Sequence, residues 1–268
     1  MDVTQSRRSR WTVIAAALAV FAAAAAARAT SAQQAPAAPP GARTAAQPQD
    51  PPKEPAETAA MRKALAELDD DDAAVREQGR VRLMGMRREH LPTFQKIVRE
   101  NLPLTPSQAA VLRPIVQHVY LSGETYDTTG TEGFLGVKMH ETAVRLPGAN
   151  PAEQYAPAYG VVIVERMPGW VGARMLQDGD VILGVVERPE VRMMSMQDFQ
   201  VVVRQVSPGT TIHFQVLRQG QVIRVPIAPD PRPWEIDTGG QQLIFQRQQK
   251  ADDYWNSSFG PMLKEGVG

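Results

Sequence analysis

Apolar residues recur at helical spacing once the chain passes its alanine- and proline-rich N-terminal part. Four of them stand at i, i+3, i+4 and i+7, the spacing of one helical face: Met61, Ala64, Leu65 and Leu68. The aspartates at positions 69–72 interrupt this pattern and supply an N-cap and favourable first-turn charge for a second helix. The pattern therefore predicts a pair of short helices, the second of which reaches about Met86.

Two further helices are predicted before residue 123. One covers residues 91–98 and ends at Leu102-Pro103. The next begins at Thr105-Pro106-Ser107-Gln108, a capping box with proline at the first helical position, and ends near Gly123. Together these helices predict a small all-α domain over residues 57–123. The stretch LDDDDAAVREQGRVRLMGM resembles a HEAT-type helical repeat, although one or two units fall short of the roughly three that a solenoid needs.

The apolar pattern becomes that of β-strands between residues 130 and 229. Four segments rich in β-branched residues mark strands: 161–164, 181–183, 212–217 and 222–227. A helix is predicted from Met196 to Val206, with Ser195 as its N-cap and Pro208-Gly209 as its end. Strands with two interspersed helices in so short a segment predict a compact, partly open antiparallel β-barrel. The predicted fold class is α+β, a small helical domain followed by this barrel.

The first 32 residues have the pattern of a Sec-type signal peptide. Arg7, Arg8 and Arg10 precede an apolar run over residues 11–27, and small residues then offer cleavage sites after residues 29 and 32. We expect cleavage and a periplasmic or secreted protein. The alternative is an uncleaved membrane anchor, although the run is short for a bilayer and alanine contributes little to insertion. Residues 33–56 have the Pro/Ala/Gln-rich composition that is typical of a disordered linker.

Charge and cysteine content exclude several classes of function. The chain carries 29 basic and 29 acidic side chains, so nothing indicates a nucleic-acid partner, whose binding requires clustered lysine and arginine. Cysteine is absent. Its absence excludes disulfides, thiolate metal sites and a cysteine nucleophile.

Three sequence elements occur in the order found in one protein family. They are GFLGV, then PGWVGARMLQDGDVILGV, then SMQDFQVVVRQVSPGTTIHFQVLRQGQVIRVPI. Together they resemble the PDZ domains of bacterial HtrA-type serine proteases. The resemblance implies a PDZ domain over residues 130–229, in which a peptide adds as an extra strand in a groove between a sheet edge and one helix.

The resemblance also implies roles for individual groove residues. A loop whose backbone amides receive the carboxylate of a peptide C-terminus, and whose side chains contact the last ligand residue, is formed by Phe134, Leu135, Gly136 and Val137. The strand that pairs with the peptide and the helix that faces it supply the rest of the groove: Lys138, Met139, His140, Met196, Gln200 and Val203. Met196 stands where PDZ domains that select a ligand hydroxyl have histidine, so we expect a preference for hydrophobic tails. The alternative is that Leu135, Val137 and Val203 are core residues and the groove is closed.

Two features depart from the family. Residues 141–159 are inserted after the peptide-pairing strand, and their prolines predict a loop that either shields the groove or adds contacts. Trp170 stands where small residues are usual, and we expect it to pack on the C-terminal tail. That tail, residues 230–268, contains many aromatic residues. They either pack back on the two domains or engage a partner.

Motifs for catalysis and metal binding are missing. The segment before the predicted PDZ domain is too short for the trypsin-like double barrel of the HtrA-type proteases, and it lacks a Gly-Asn-Ser-Gly-Gly nucleophile segment. His140-Glu141 could begin an HExxH zinc motif, but Val144 stands where the second histidine belongs. We expect no catalytic residue, no metal and no cofactor.

The function expected from the sequence is that of an extracytoplasmic adaptor. Its partners would be C-terminal or extended peptide segments of other exported proteins. Two alternatives stay open: a non-catalytic scaffold whose groove is unused, and a regulatory partner of a separately encoded protease or envelope protein. A membrane is a partner only if the signal segment stays uncleaved.

Overall fold

The computed structural model describes residues 54–146 and 158–265. The predicted signal peptide, residues 1–32, lies outside the described residues, as do nearly all of the predicted linker and the middle of the 141–159 insertion. Among the helices in the described ranges, none has the length and hydrophobicity that a bilayer crossing requires.

Four helices form the first part of the described chain, and two of them begin at predicted caps. They are α1 (Ala56–Glu67), α2 (Ala73–Met84), α3 (Leu91–Glu100) and α4 (Pro106–Ser122), with a 3-10 turn at Arg88–His90. The Asp72 carboxylate accepts a hydrogen bond from the Ala74 amide at 2.8 Å and so caps α2. Thr105 and Gln108 form the predicted capping box of α4. Helix α1 begins at the last residue of the predicted linker.

The second part of the chain is an antiparallel sheet domain with two helices. The strands are β1 (Thr128–Phe134), β2 (Val137–Val144), β3 (Ala158–Arg166), β4 (Val181–Val185), β5 (Arg188–Arg192), β6 (Ile212–Arg218), β7 (Gln221–Ile227) and β8 (Asp230–Pro233). The helices are α5 (Val171–Met175) and α6 (Met196–Gln205). One sheet has the strand order β2-β3-β4-β6-β7 with β5 paired to β4, and β1 pairs separately with β8. The described chain thus has a helical part followed by antiparallel sheets that do not close into a barrel. This arrangement confirms the predicted α+β fold class.

The prediction of a loop over residues 141–159 is wrong at both ends of the segment. Residues 141–144 continue β2 and residues 158–159 begin β3, so the ladder, after a register shift between Lys138 and Met139, extends to the pair formed by Val144 and Ala158. The physical reason is that paired strands satisfy backbone groups that a loop would leave to water. The prolines mark only the middle of the segment.

Each of the two parts has its own apolar core. The first lies among the helices, where Leu65, Phe94 and Ile115 are buried. The second lies between the sheet and α6, where Ile163, Phe199 and Phe214 are buried. Each core joins residues that are distant in sequence.

The C-terminal tail is helical and completes the first core. It forms α7 (Glu235–Ser258), which is kinked at Gly239, and α8 (Gly260–Glu265). Trp255, Phe259 and Met262 are buried in the helical core, and the rings of Phe94 and Phe259 lie 6.1 Å apart. For Trp255 and Phe259 these contacts match the first of the two interpretations of the tail, packing against the chain itself, whereas Trp234 and Phe245 are exposed.

Candidate peptide groove

A groove lies between the edge strand β2 and helix α6. β2 pairs only with β3, so its second edge is free of strand partners among the described strands. Helix α6 begins with a capping box, in which the Ser195 hydroxyl accepts from the Asp198 amide at 3.1 Å. The Met196 amide then donates to the Glu141 carboxylate at 3.2 Å. This bond ties the start of the helix to β2.

The loop at residues 134–137 joins β1 to β2, and its peptide units are oriented by hydrogen bonds on one side. The Leu135 carbonyl accepts from the Gly172 amide at 2.9 Å, and the Gly136 carbonyl accepts from the Met167 amide at 2.8 Å. In a planar trans peptide the N–H points opposite to the C=O. The amides of Gly136 and Val137 therefore point away from α5 and β3, towards the free edge of β2.

Gly136 has a left-handed conformation, with φ = +66°. It also allows the loop to approach Trp170, because a Cβ added at this glycine would lie 2.5 Å from the Trp170 Cβ. Both requirements select glycine at this position. In this chain, the contact with Trp170 and the left-handed backbone thus explain why glycine stands at position 136 of the loop.

The groove opens into a cavity of about 770 Å³. Seven of the ten predicted groove residues line it: Phe134, Leu135, Gly136, Val137, Met139, Gln200 and Val203. Leu135 and Val203 are also part of the apolar core beneath. These two side chains therefore line the groove cavity and also belong to the core of the sheet domain.

The other three predicted residues lie outside this cavity. Side chains alternate along a strand, so Lys138 and His140 do not share the face of Val137 and Met139. Lys138 pairs with Glu165 on β3 at 2.7 Å. Met196 lies at the N-terminal end of α6, where the residue is 38% exposed.

Charged residues that the sequence did not indicate lie at the loop end of the groove. Arg204 of α6 and Arg232 of β8 both line the cavity. Their Nε atoms lie 3.7 Å and 3.4 Å from the same Glu132 carboxylate oxygen. Arg232 follows the predicted end of the domain at residue 229, so no local pattern could place it here.

The first turns of α7 close the same end of the groove. Helix α7 lines the cavity with six residues: Ile236, Gly239, Gly240, Gln241, Gln242 and Ile244. The backbone at Gly239 has φ = −174° and ψ = 29°, which kinks the helix within the segment that lines the groove. The helix also packs on α4. The groove is therefore bounded by β2, α6 and the tail.

Trp170 connects the loop to the tail, as the sequence predicts. Its indole N–H donates to the Tyr126 hydroxyl at 2.9 Å, and the Arg247 guanidinium of α7 lies 4.2 Å from the ring centroid. Burial lowers the pKa of Arg247, while the nearby Glu124 carboxylate opposes that shift. The same burial strengthens the attraction between a cation and an aromatic ring.

In the two described ranges no three histidine, aspartate or glutamate side chains converge in an arrangement able to hold a metal ion. The groove itself contributes backbone amides, apolar side chains, glutamine side chains and ion-paired arginines.

Comparisons with known proteins give partial similarity. No protein-family model and no curated protein matches the sequence. Among solved structures, the HtrA-type protease AlgW with a decapeptide is 23% identical, with a TM-score of 0.30, over 48% of this chain and 36% of that one. A serine endoprotease from Yersinia pestis is 22% identical, with a TM-score of 0.28, over 46% and 36%. The chain thus spans about a third of the length of these HtrA-type neighbours.

Proposed function

We propose that this chain is a non-catalytic, extracytoplasmic PDZ-like adaptor that binds C-terminal or extended peptide segments of other exported proteins. One observation carries the proposal: the free edge of β2 begins at a loop whose Gly136 and Val137 amides point along that edge. A carboxylate needs several converging N–H donors, and a peptide needs an unpaired strand. This groove offers both.

The geometry also sets the direction of the ligand. β2 runs away from the carboxylate loop, so a peptide with its C-terminus at the loop runs antiparallel to β2. Its last side chain then enters the cavity among Phe134, Val137 and Val203. Because this wall is apolar, the proposed ligands end in hydrophobic residues.

Peptide binding is tested with the full exported chain and a library of peptides that have free C-termini. The expected result is enrichment of apolar last residues, with binding lost when the terminal carboxylate is amidated. Gly136 is a poor target for the matching variant, because any side chain there meets Trp170. Gln200 lines the groove from an exposed position of α6 and tolerates substitution better.

A pair of neighbouring variants separates groove binding from general surface effects. Gln200→Trp fills the groove and is expected to weaken peptide binding at least about tenfold, a loss of about 1.4 kcal/mol. Val201→Trp places the same side chain at the next, 45% exposed position outside the groove, and is expected to leave binding unchanged. No enrichment by the folded protein, or equal binding by both variants, would overturn the proposal.

The extracytoplasmic location rests on the N-terminal sequence. Its test is the N-terminal residue of the protein isolated from the producing cells. Cleavage after residue 29 or 32 supports export, and an intact Met1 contradicts release from the membrane. Incubation with an unfolded protein substrate tests the absence of catalysis, and new cleavage products would refute it.

One observation favours a second candidate, a scaffold whose own tail occupies the groove. Ile236 and Ile244 of α7 line the cavity that a ligand would enter. If the tail competes with ligands, Ile244→Ala raises peptide affinity. If the tail is a permanent cover, wild type and Ile244→Ala both fail to bind peptides.

A further inference from the structure

A second cavity, separate from the groove, lies between the helical part and the sheet domain. Its volume is about 930 Å³, within the range of small-molecule sites. The helical side contributes Arg88 and His118, and the sheet side contributes Trp170 and Arg174. Met84 and Met86 add apolar surface. The cavity therefore combines an apolar wall with basic side chains.

Two of the three arginines that line this cavity, Arg88 and Arg174, have guanidinium groups with no hydrogen-bond or ion-pair partner among the described residues. The Arg174 carbonyl accepts a hydrogen bond from Arg80 at 2.8 Å, but its guanidinium makes no hydrogen bond or ion pair with any described residue, and its Nε is shielded from solvent. Arg88 stacks on the Tyr120 ring at 3.8 Å, a contact that leaves its N–H groups unused by any described residue. An arginine presents five N–H donors in a rigid plane that matches a carboxylate or a phosphate.

The carboxylates around the cavity are engaged elsewhere. Glu124 pairs with Arg247 at 3.1 Å and with Lys250 at 3.0 Å. Asp230 accepts a hydrogen bond from the Val171 amide at 2.5 Å. Glu89, also on the wall, pairs with Arg87 at 2.8 Å. None of them neutralises Arg88 or Arg174 by direct contact.

We propose that this cavity is a second binding site, for a ligand that carries a carboxylate or phosphate group, and that Arg88 and Arg174 bind that group. Unpaired buried donors are costly, and a bidentate oxyanion removes the cost with charge-assisted hydrogen bonds. The apolar wall of Trp170, Met84 and Met86 receives the body of the ligand. The site is independent of peptide binding in the groove.

The test is nuclear magnetic resonance of the full chain titrated with inorganic phosphate or succinate at constant ionic strength. Trp170 lines the cavity and its indole N–H donates to Tyr126, another lining residue, so the indole N–H resonance reports on occupancy. We expect a saturable shift of its resonance with at least one anion, and the anion that binds more tightly identifies the chemistry. A linear drift with both anions overturns the proposal.

Three variants complete the test. Arg174→Gln and Arg88→Gln are each expected to raise the dissociation constant at least tenfold. Arg224→Gln removes an exposed arginine of β7 outside the cavity and is expected to change nothing. Arg174→Gln is also expected to unfold at a temperature close to that of the wild type without ligand, because the substitution breaks no direct ion pair and removes only a longer-range attraction to Asp230. Unchanged affinity in Arg174→Gln and Arg88→Gln would refute the proposed role.

Discussion

Trp170 lies directly against Gly136, and the two residues together shape the carboxylate loop. A Cβ on Gly136 would meet the Trp170 Cβ at 2.5 Å and its ring at 2.8 Å. The indole is buried, with 2% of its surface exposed, and Tyr126 and Arg247 hold it from the other sides. The loop conformation is thus supported by the helical part and the tail as well as by the sheet domain.

Gly136→Ala is expected to destabilise the protein by about 2 kcal/mol or more, because it combines a left-handed backbone with a clash. Gly209→Ala is the matched control, since Gly209 has φ = +79° and open space where the Cβ would go. It is expected to cost about 1 kcal/mol. Urea unfolding of both variants measures the difference. Equal decreases in the free energy of unfolding would show that Trp170 moves aside without destabilising the protein.

His118 makes stability depend on pH in the acid range. Burial, with a contribution from Arg174, Arg80, Arg166 and Arg247, lowers the pKa of His118 from 6.5 to about 3. Its Nδ1 accepts a hydrogen bond from the Gly169 amide at 3.1 Å, which the neutral ring allows.

In the unfolded state this histidine therefore binds a proton below about pH 6.5. In the folded state it stays neutral until the pH approaches about 3. Stability falls as the pH drops through this window, by up to about 1.4 kcal/mol per pH unit from this one group. His118→Asn keeps an acceptor near Nδ1 and does not titrate, so we expect a flatter acid limb in unfolding experiments between pH 6.5 and pH 4. A curve parallel to that of the wild type would contradict this role.

Local patterns predicted the elements whose causes are local. The Thr105 capping box and the Ser195 N-cap each start a helix as expected, and the helical spacing of Met61, Ala64, Leu65 and Leu68 marks α1. The alternation of side chains along β2 explains why Lys138 and His140 do not line the groove cavity.

Features that depend on distant contacts were missed. β8 pairs with β1 across about a hundred residues of chain, and only this pairing brings Arg232 to the groove. Helix α7 did carry a signal, because Arg247, Ala251, Trp255 and Phe259 are buried at intervals of four. Because Arg247 is charged, this row did not have the appearance of a buried helical face. Its burial depends on contacts with Glu124 and Trp170, which are far from it in sequence.

The tail is expected to contribute strongly to stability through one face of α7. Phe259→Ala removes a fully buried ring from the helical core and should cost about 3–5 kcal/mol. Phe245→Ala is the control on the same helix, because Phe245 is 69% exposed. It should change stability by less than about 0.5 kcal/mol. Thermal and chemical unfolding compare the two, and a small loss in Phe259→Ala would mean that the tail is not part of the cooperative fold.

The turn before β4 contains two aspartates with different roles. Asp180 is 1% exposed at its side chain, pairs with Arg218 at 2.7 Å and accepts a hydrogen bond from the Gln177 amide at 2.8 Å. Asp178, two residues earlier, pairs with Arg166 but is 55% exposed. Asp180→Asn is expected to cost about 3 kcal/mol, because it leaves the partly buried Arg218 without its counter-charge. Asp178→Asn is expected to cost less than about 1 kcal/mol, since water screens an exposed pair. Urea unfolding at pH 7 checks both values, and similar losses would show that burial does not set the strength of these ion pairs.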